Sequence, residues 1–193
     1  MTAIDPTPSA AQDVAPAHSR RGLLVAAASL AAVSGAGLAW WHAQDPAAIS
    51  PSVAEPVDGF WSLQWDSPQG GLVKMRKFHG KPLLLNFWAT WCPPCVDELP
   101  MINAFYRQNH RNGMQVLALA VDKPASVQSF LQRMPLDFPI GIAALAGSEL
   151  ARNLGNLGGG LPFSIFLGSD GVVAQRKIGR LLQTDLDSWA QVK

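Results

Sequence analysis

The sequence predicts an α/β domain in which helices flank a central mixed sheet. Two short apolar runs, residues 83–88 and 114–121, have the composition of strands that are buried on both faces. Segments with apolar residues at helical spacing follow both runs, and Asp170-Gly171 is typical of a hairpin turn. Strands that alternate with helices, followed by a hairpin and a last helix, favour this fold class.

The predicted elements follow one another from residue 59. Strands at 60–65 and 72–75 flank a turn at residues 69–71, which contains two glycines. After the first buried run, apolar residues at helical spacing predict a helix over residues 96–106. The remaining predicted elements are helices at 125–133 and 148–154, hairpin strands at 163–167 and 172–178, and a closing helix at 184–192 with Leu186 and Trp189 facing inward.

Composition divides the chain into a tail, a short apolar segment, a linker and one domain. At 193 residues, 48% hydrophobic and with a net charge of +1, the chain has room for one sizeable domain, and its charge balance gives no indication of nucleic-acid binding. Residues 1–19 are rich in Ala, Pro, Ser and Thr and are predicted to be a disordered cytoplasmic tail. Residues 43–58 are predicted to be a Pro-rich linker, and residues 59–193 form the domain.

The segment at residues 20–42 has the features of a membrane anchor. Two arginines precede residues 22–41, which carry no charge, and twenty helical residues span about 30 Å, the thickness of a bilayer core. Trp40 and Trp41 suit a membrane interface. A cleaved signal of the twin-arginine kind and a buried soluble helix remain as alternatives. The first two interpretations place the domain in the periplasm.

The chain has only two cysteines, Cys92 and Cys95, in the motif Cys-Pro-Pro-Cys. A disulfide between them closes too small a loop to stabilise the fold much, so a redox couple or a metal clip is the better interpretation. The motif lies between a predicted strand and a predicted helix, where the helix N-terminus stabilises a thiolate. We assign Cys92 as the more exposed, attacking nucleophile and Cys95 as the resolving thiol.

Other uses of two thiols fit the sequence less well. Structural zinc needs about four ligands, and neither His79 nor His110 has ligand spacing to the pair. The residue directly after Cys95 is Val96 and not histidine, which excludes the haem-attachment pattern. A thiol peroxidase is disfavoured because Thr90 stands two residues before Cys92 instead of three. A copper chaperone that uses the thiols as soft ligands remains the alternative function. Thiol exchange itself needs no metal and no organic cofactor.

Residues 87–95, together with Glu98 and Pro100, resemble the active-site segment of the TlpA/ResA group. This group comprises membrane-anchored or periplasmic thioredoxin-like proteins of bacteria. Residues 160–164, which contain Leu161 and Pro162, resemble the loop in which thioredoxin-like folds carry a cis-proline that faces the cysteines. Residues 60–75 are similar to the N-terminal hairpin extension of the group, and the resemblance covers residues 58–193.

The resemblance implies roles for particular residues. Where thioredoxin has a buried Asp, this chain has Asn86, which cannot titrate, and Glu98 matches the group's glutamate three residues after the second cysteine. Glu98 is therefore expected to tune the thiol pKa values and relay protons, unless it is an ordinary acidic residue of a first helical turn. Pro162, if cis, would hold the Leu161 backbone beside Cys92, ready to pair with an extended substrate.

The implied activity is thiol–disulfide exchange with protein disulfides or thiols in the periplasm, in the direction of reduction. The surface expected to bind substrate comprises Trp91, Pro93, Pro94 and Leu161. The resemblance also implies a DsbD-type membrane reductase as electron donor, attachment to the inner membrane through the N-terminal segment, and clients in cytochrome c or oxidase maturation.

Overall fold

The computed structural model describes residues 56–191, and these form one seven-stranded sheet with helices packed on it. The strand order is β2-β1-β5-β4-β3-β6-β7. The strands are β1 (Gln64–Asp66), β2 (Leu72–Lys74), β3 (Leu83–Trp88), β4 (Gln115–Ala120), β5 (Ile140–Ile142), β6 (Phe163–Leu167) and β7 (Val173–Ile178). The helices are α1 (Pro93–Asn109), α2 (Pro124–Arg133), α3 (Ala144–Asn153) and α4 (Gln183–Trp189).

The sheet is mixed, as the sequence predicts. Strand β3 runs parallel to β4, and β4 runs parallel to β5, whereas β6 is antiparallel to β3 and β7 is antiparallel to β6. At the other edge, β1 pairs antiparallel with both β2 and β5. All six residues of β3 are buried, because this strand lies in the middle of the sheet with helices on either face.

The two faces of the sheet carry separate apolar cores. Leu84 and Trp88 of β3 belong to the core that also contains Cys92, Cys95 and the buried face of α1. The alternate residues of β3 belong to the second core, with α3 and the segment that precedes β3. This alternation follows from the two-residue period of a strand. It also directs the Asn86 side chain, two residues from Leu84 and from Trp88, to the face that packs on α1.

The structure differs from the expected elements in three places. Residues 60–62 form a 3-10 turn instead of the start of a strand, since Ser62 N–H donates to Gly59 O and Leu63 N–H to Phe60 O. Helix α3 begins at residue 144 instead of 148. Strand β5 was not predicted, because it has three residues and its central Gly141 weakens the strand pattern.

Gly141 is required by the packing of β5. A Cβ atom there would lie 2.9 Å from a methyl carbon of Leu119 and 3.0 Å from the Cβ of Trp65. Gly141 therefore weakens the strand pattern in the sequence and, at the same time, allows β5 to pack against its neighbours.

No helix within residues 56–191 has the length and apolar composition needed to span a membrane. The predicted tail, the anchor at 20–42 and most of the linker lie outside the described residues.

Candidate active site

A disulfide joins Cys92 to Cys95, with their Cα atoms 5.3 Å apart. Cys92 has extended backbone angles (φ −104°, ψ 99°) and is the N-cap of α1, while Cys95 lies inside the first turn. The backbone N–H groups of Cys95 and Val96 both donate to the Cys92 carbonyl oxygen, each over 3.1 Å. The predicted strand-to-helix placement of the motif is confirmed.

The N-terminus of α1 has fewer free backbone N–H donors than an ordinary helix N-terminus. Pro93 and Pro94 occupy the first helical positions and carry no N–H group. The next N–H, that of Cys95, already donates to the Cys92 carbonyl. A Cys92 thiolate therefore receives less stabilisation from backbone donors than an ordinary helix N-cap provides.

The two sulfur-bearing residues differ in access to solvent. Cys92 is 5% exposed and Cys95 has no exposed surface. Cys92 is thus the more exposed of the two, as expected for the outer thiol. Its side chain is nevertheless much less exposed than that of a residue at the tip of a turn. In contrast, Trp91, Pro93 and Pro94 are exposed around it, and Trp91 is 66% exposed.

Asp122 holds the loop that leads from β3 to the motif. Its Oδ2 accepts a hydrogen bond from the Thr90 N–H over 2.9 Å and another from the Thr90 hydroxyl over 2.5 Å. Partial burial opposes ionisation of Asp122, but the hydrogen bonds from Thr90 and Lys123 outweigh it and hold the pKa of this carboxyl below its usual value. Nothing in the local sequence indicates that Asp122 contacts Thr90.

Glu98 lies one turn after Cys95 on α1 and has no exposed surface. Its Oε1 accepts a hydrogen bond from Asn86 Nδ2 over 2.8 Å, and its Oε2 accepts one from the Leu181 N–H over 2.6 Å. Burial raises the pKa of Glu98 to about 7, opposed by the Leu181 and Asn86 hydrogen bonds and by two nearby cations. An ordinary solvated acid of a first helical turn is therefore the wrong interpretation of Glu98.

Asn86 extends this polar cluster into the sheet. Its Nδ2 also donates to Ser164 Oγ over 2.9 Å, and Asn86 and Ser164 are direct partners in the register of β3 and β6. Both side chains are fully buried. The sequence shows only that Asn86 cannot titrate, and no local pattern links Asn86 to Ser164.

The Leu161–Pro162 peptide bond is cis. It precedes β6, which runs antiparallel to β3, so this loop and the Cys92 loop lie at the same edge of the sheet. Leu161 is half-buried and packs against both cores, including the one that holds the cysteines. The loop is tied down on both sides, since Asn156 Nδ2 donates to the Gly160 oxygen and the Gly179 N–H donates to the Pro162 oxygen, each over 2.8 Å.

Among residues 56–191, no group of three or more His, Cys, Asp or Glu side chains is placed to hold a metal ion.

Comparisons with known proteins agree with this geometry. The sequence profile of the AhpC/TSA family matches residues 58–176. The thiol-disulfide oxidoreductase ResA of Bacillus thuringiensis subsp. konkukian is 32% identical over 122 residues, which cover 63% of this chain and 68% of the relative.

Two solved structures share the fold. A thiol:disulfide interchange protein of the thioredoxin family from Chlorobium tepidum has a TM-score of 0.61 and 22% identity, over 67% of this chain and 91% of its own. StoA from Bacillus subtilis has a TM-score of 0.56 and 24% identity, over 67% of this chain and 96% of its own. These likenesses confirm the predicted thioredoxin-like fold. The chain therefore belongs to the AhpC/TSA family, as a thioredoxin-like thiol–disulfide oxidoreductase of the ResA type.

Proposed function

We propose that the protein reduces disulfides of other proteins outside the cytoplasm, with Cys92 as nucleophile. The Cys92 thiolate attacks one sulfur of the substrate disulfide, whose S–S bond breaks as the mixed disulfide forms and the other substrate sulfur leaves as a thiolate. The Cys95 sulfur then attacks Cys92 Sγ, which regenerates the Cys92–Cys95 disulfide and releases the second substrate thiolate. Two electrons pass from the dithiol to the substrate.

The surroundings of the Cys92–Cys95 pair support the assignment of the protein as a reductase. A dithiol–disulfide couple that acts as an oxidant has a high reduction potential because its reduced form is stabilised. Here Pro93 and Pro94 remove two backbone donors from the helix N-terminus, and Glu98, when ionised, places a negative charge one turn from Cys95. Both effects disfavour a thiolate and therefore favour a low reduction potential.

Glu98 is the proton partner in this scheme. It lies three residues after Cys95 on the same helix, so the two side chains are neighbours on one face of α1. With a pKa of about 7, Glu98 can take the Cys95 thiol proton as that sulfur attacks and can release it near neutral pH.

The exposed surface of Trp91, Pro93 and Pro94, with the Leu161 backbone at the same edge of the sheet, is the docking site for an extended substrate segment. Such a segment would pair its backbone with the loop and place its disulfide at Cys92.

By its resemblance to the TlpA/ResA group, we place the domain in the periplasm, attached to the inner membrane through residues 20–42. An electron donor of the DsbD type would re-reduce the pair. The client thiols would be those of apocytochrome c or of the copper site of cytochrome oxidase.

Insulin reduction and equilibration with glutathione test this function. The wild-type chain should reduce insulin, and Cys92→Ser should abolish the reaction. The reduction potential should lie near the reducing end of the range of such couples, which runs from about −270 to about −120 mV. A potential near the oxidising end would contradict the reductase assignment.

A further inference from the structure

A buried polar cluster connects Glu98 with the strand that follows Pro162. Asn86, Glu98 and Ser164 all have 0% exposed surface. The Asn86 amide uses its Nδ2 for both neighbours, at 2.8 Å to Glu98 Oε1 and 2.9 Å to Ser164 Oγ. Its Oδ1 is buried and has no hydrogen-bond partner. An unpaired buried acceptor is unfavourable by about 1–3 kcal/mol, so this oxygen requires an explanation.

The present orientation of the amide fits only the ionised form of Glu98. Oε1 faces the Asn86 NH2 and Oε2 faces the Leu181 N–H, and both of these groups are donors only. A proton on either oxygen of Glu98 would therefore find no acceptor in these two groups, and the carboxylic O–H would be left without a hydrogen bond.

We propose that the Asn86 amide turns over about its Cβ–Cγ bond when Glu98 takes up a proton. Oδ1 then accepts the hydroxyl of protonated Glu98 and the hydroxyl of Ser164, and the NH2 group takes the place that Oδ1 leaves. Each orientation satisfies one polar end of the amide and leaves the other unpaired. This inference rests on the proposed role of Glu98 as proton partner, and it makes Asn86 a positioning residue of the exchange reaction.

The consequence reaches the substrate side of the site. Ser164 lies two residues after Pro162 on β6 and changes from acceptor to donor when the amide turns. The protonation state of Glu98 is thereby transmitted across the sheet to the strand that carries the cis-proline loop.

The charged groups that act on Glu98 come from β7 and the loop after it. They are Lys177 and Arg180, which favour the ionised carboxylate. Lys177 forms an ion pair with Asp185, and Arg180 lies 4.0 Å from Asp97. Among the buried residues of the cluster, only Glu98 carries an ionisable group.

Carbon-13 NMR of the full-length chain in its disulfide form tests the proposal, because disulfide-bonded cysteines do not titrate. The label is placed in the side-chain carbonyl of asparagine and the carboxyl of glutamate. The chain has three glutamates, Glu55, Glu98 and Glu149, so Glu98 is identified by the signal missing from Glu98→Gln. As the pH falls from 9 to 5, the Asn86 carbonyl signal should move downfield with the same midpoint as the Glu98 carboxyl. In Glu98→Gln the Asn86 signal should be independent of pH.

Asn156 is the matched internal control. Its Oδ1 is also buried without a partner, but its amide donates to the Gly160 oxygen and has no hydrogen bond to Asn86, Glu98 or Ser164. Its carbonyl signal should stay fixed throughout the titration. An Asn86 signal that stays fixed while Glu98 titrates would overturn the inference and leave the exchange function intact. If Glu98 did not titrate in this range, the amide switch and the proton role of Glu98 would fall together, whereas insulin reduction tests the exchange function separately.

Discussion

At the scale of single residues, Glu98 is the only acidic or basic side chain in the described part of the chain that is buried. Its hydrogen-bond partners come from 12 residues before it and 83 residues after it. A sequence shows that a glutamate stands three residues after the second cysteine, but not that β3 and the segment after β7 enclose it. The motif and its chemistry were therefore predictable, whereas the burial that shifts the pKa of Glu98 was not.

The raised pKa of Glu98 predicts a dependence of stability on pH. Between its unfolded value near 4.5 and its folded value of about 7, the native state binds more protons than the unfolded state, so the free energy of unfolding falls as pH rises. From pH 5 to pH 8 this contribution amounts to about 2–3 kcal/mol. Denaturant unfolding of the oxidised protein should show this loss relative to Glu98→Gln, which lacks the titrating group. Parallel pH profiles for the two proteins would refute the pKa assignment.

Trp91 should contribute to substrate binding and little to stability, because its side chain is 66% exposed. Trp91→Ala is expected to raise KM for a protein disulfide by about tenfold and to change the free energy of unfolding by less than about 0.5 kcal/mol. The matched control is Leu145→Ala, since Leu145 is 83% exposed on α3, which packs on the opposite face of the sheet. Equal KM values for the two variants would show that Trp91 does not contribute to substrate binding.

At the scale of elements, predictability follows length and burial. The sequence predicts the observed bounds of β3, because five of its six consecutive buried positions are apolar and only Asn86 is polar. Strand β5 was missed because its three residues include a glycine that the packing demands. The strand expected at 60–65 is observed only at residues 64–66, because the backbone groups of the preceding residues form turn hydrogen bonds.

The loop between β3 and α1 depends on β4 through Asp122. Asp122→Ala removes the acceptor of both Thr90 donors, two residues before Cys92. The variant should lose about 1 kcal/mol of stability and reduce insulin several-fold more slowly, because Cys92 is no longer held in place.

Asp137→Ala provides the control for this loop. It also removes a carboxylate acceptor, but one that bonds Asn103 and Arg107 further along α1. A similar loss of stability with an unchanged rate of insulin reduction is expected. If Asp122→Ala exchanged as fast as Asp137→Ala, the positioning role of Asp122 would be wrong.

At the scale of the whole molecule, the topology of the sheet assembles the site. Strands β3 and β4 are parallel and β6 is antiparallel to β3, so the end of β3, the end of β4 and the start of β6 meet at one edge. This edge carries Cys92 after β3, Asp122 after β4 and Pro162 just before β6. Their separation along the chain explains why sequence analysis reached Cys92 and Pro162 only through motifs and did not reach Asp122.

In the proposed reaction, Cys92 exchanges with protein disulfides and Cys95 resolves the product. Its most direct test mixes the reduced Cys95→Ala protein with a disulfide-bonded substrate and measures the mass of the products under non-reducing conditions. A one-to-one covalent adduct through Cys92 that a reductant releases is expected, and none with Cys92→Ala. An adduct formed equally well by Cys92→Ala, or no adduct with either variant, would contradict it.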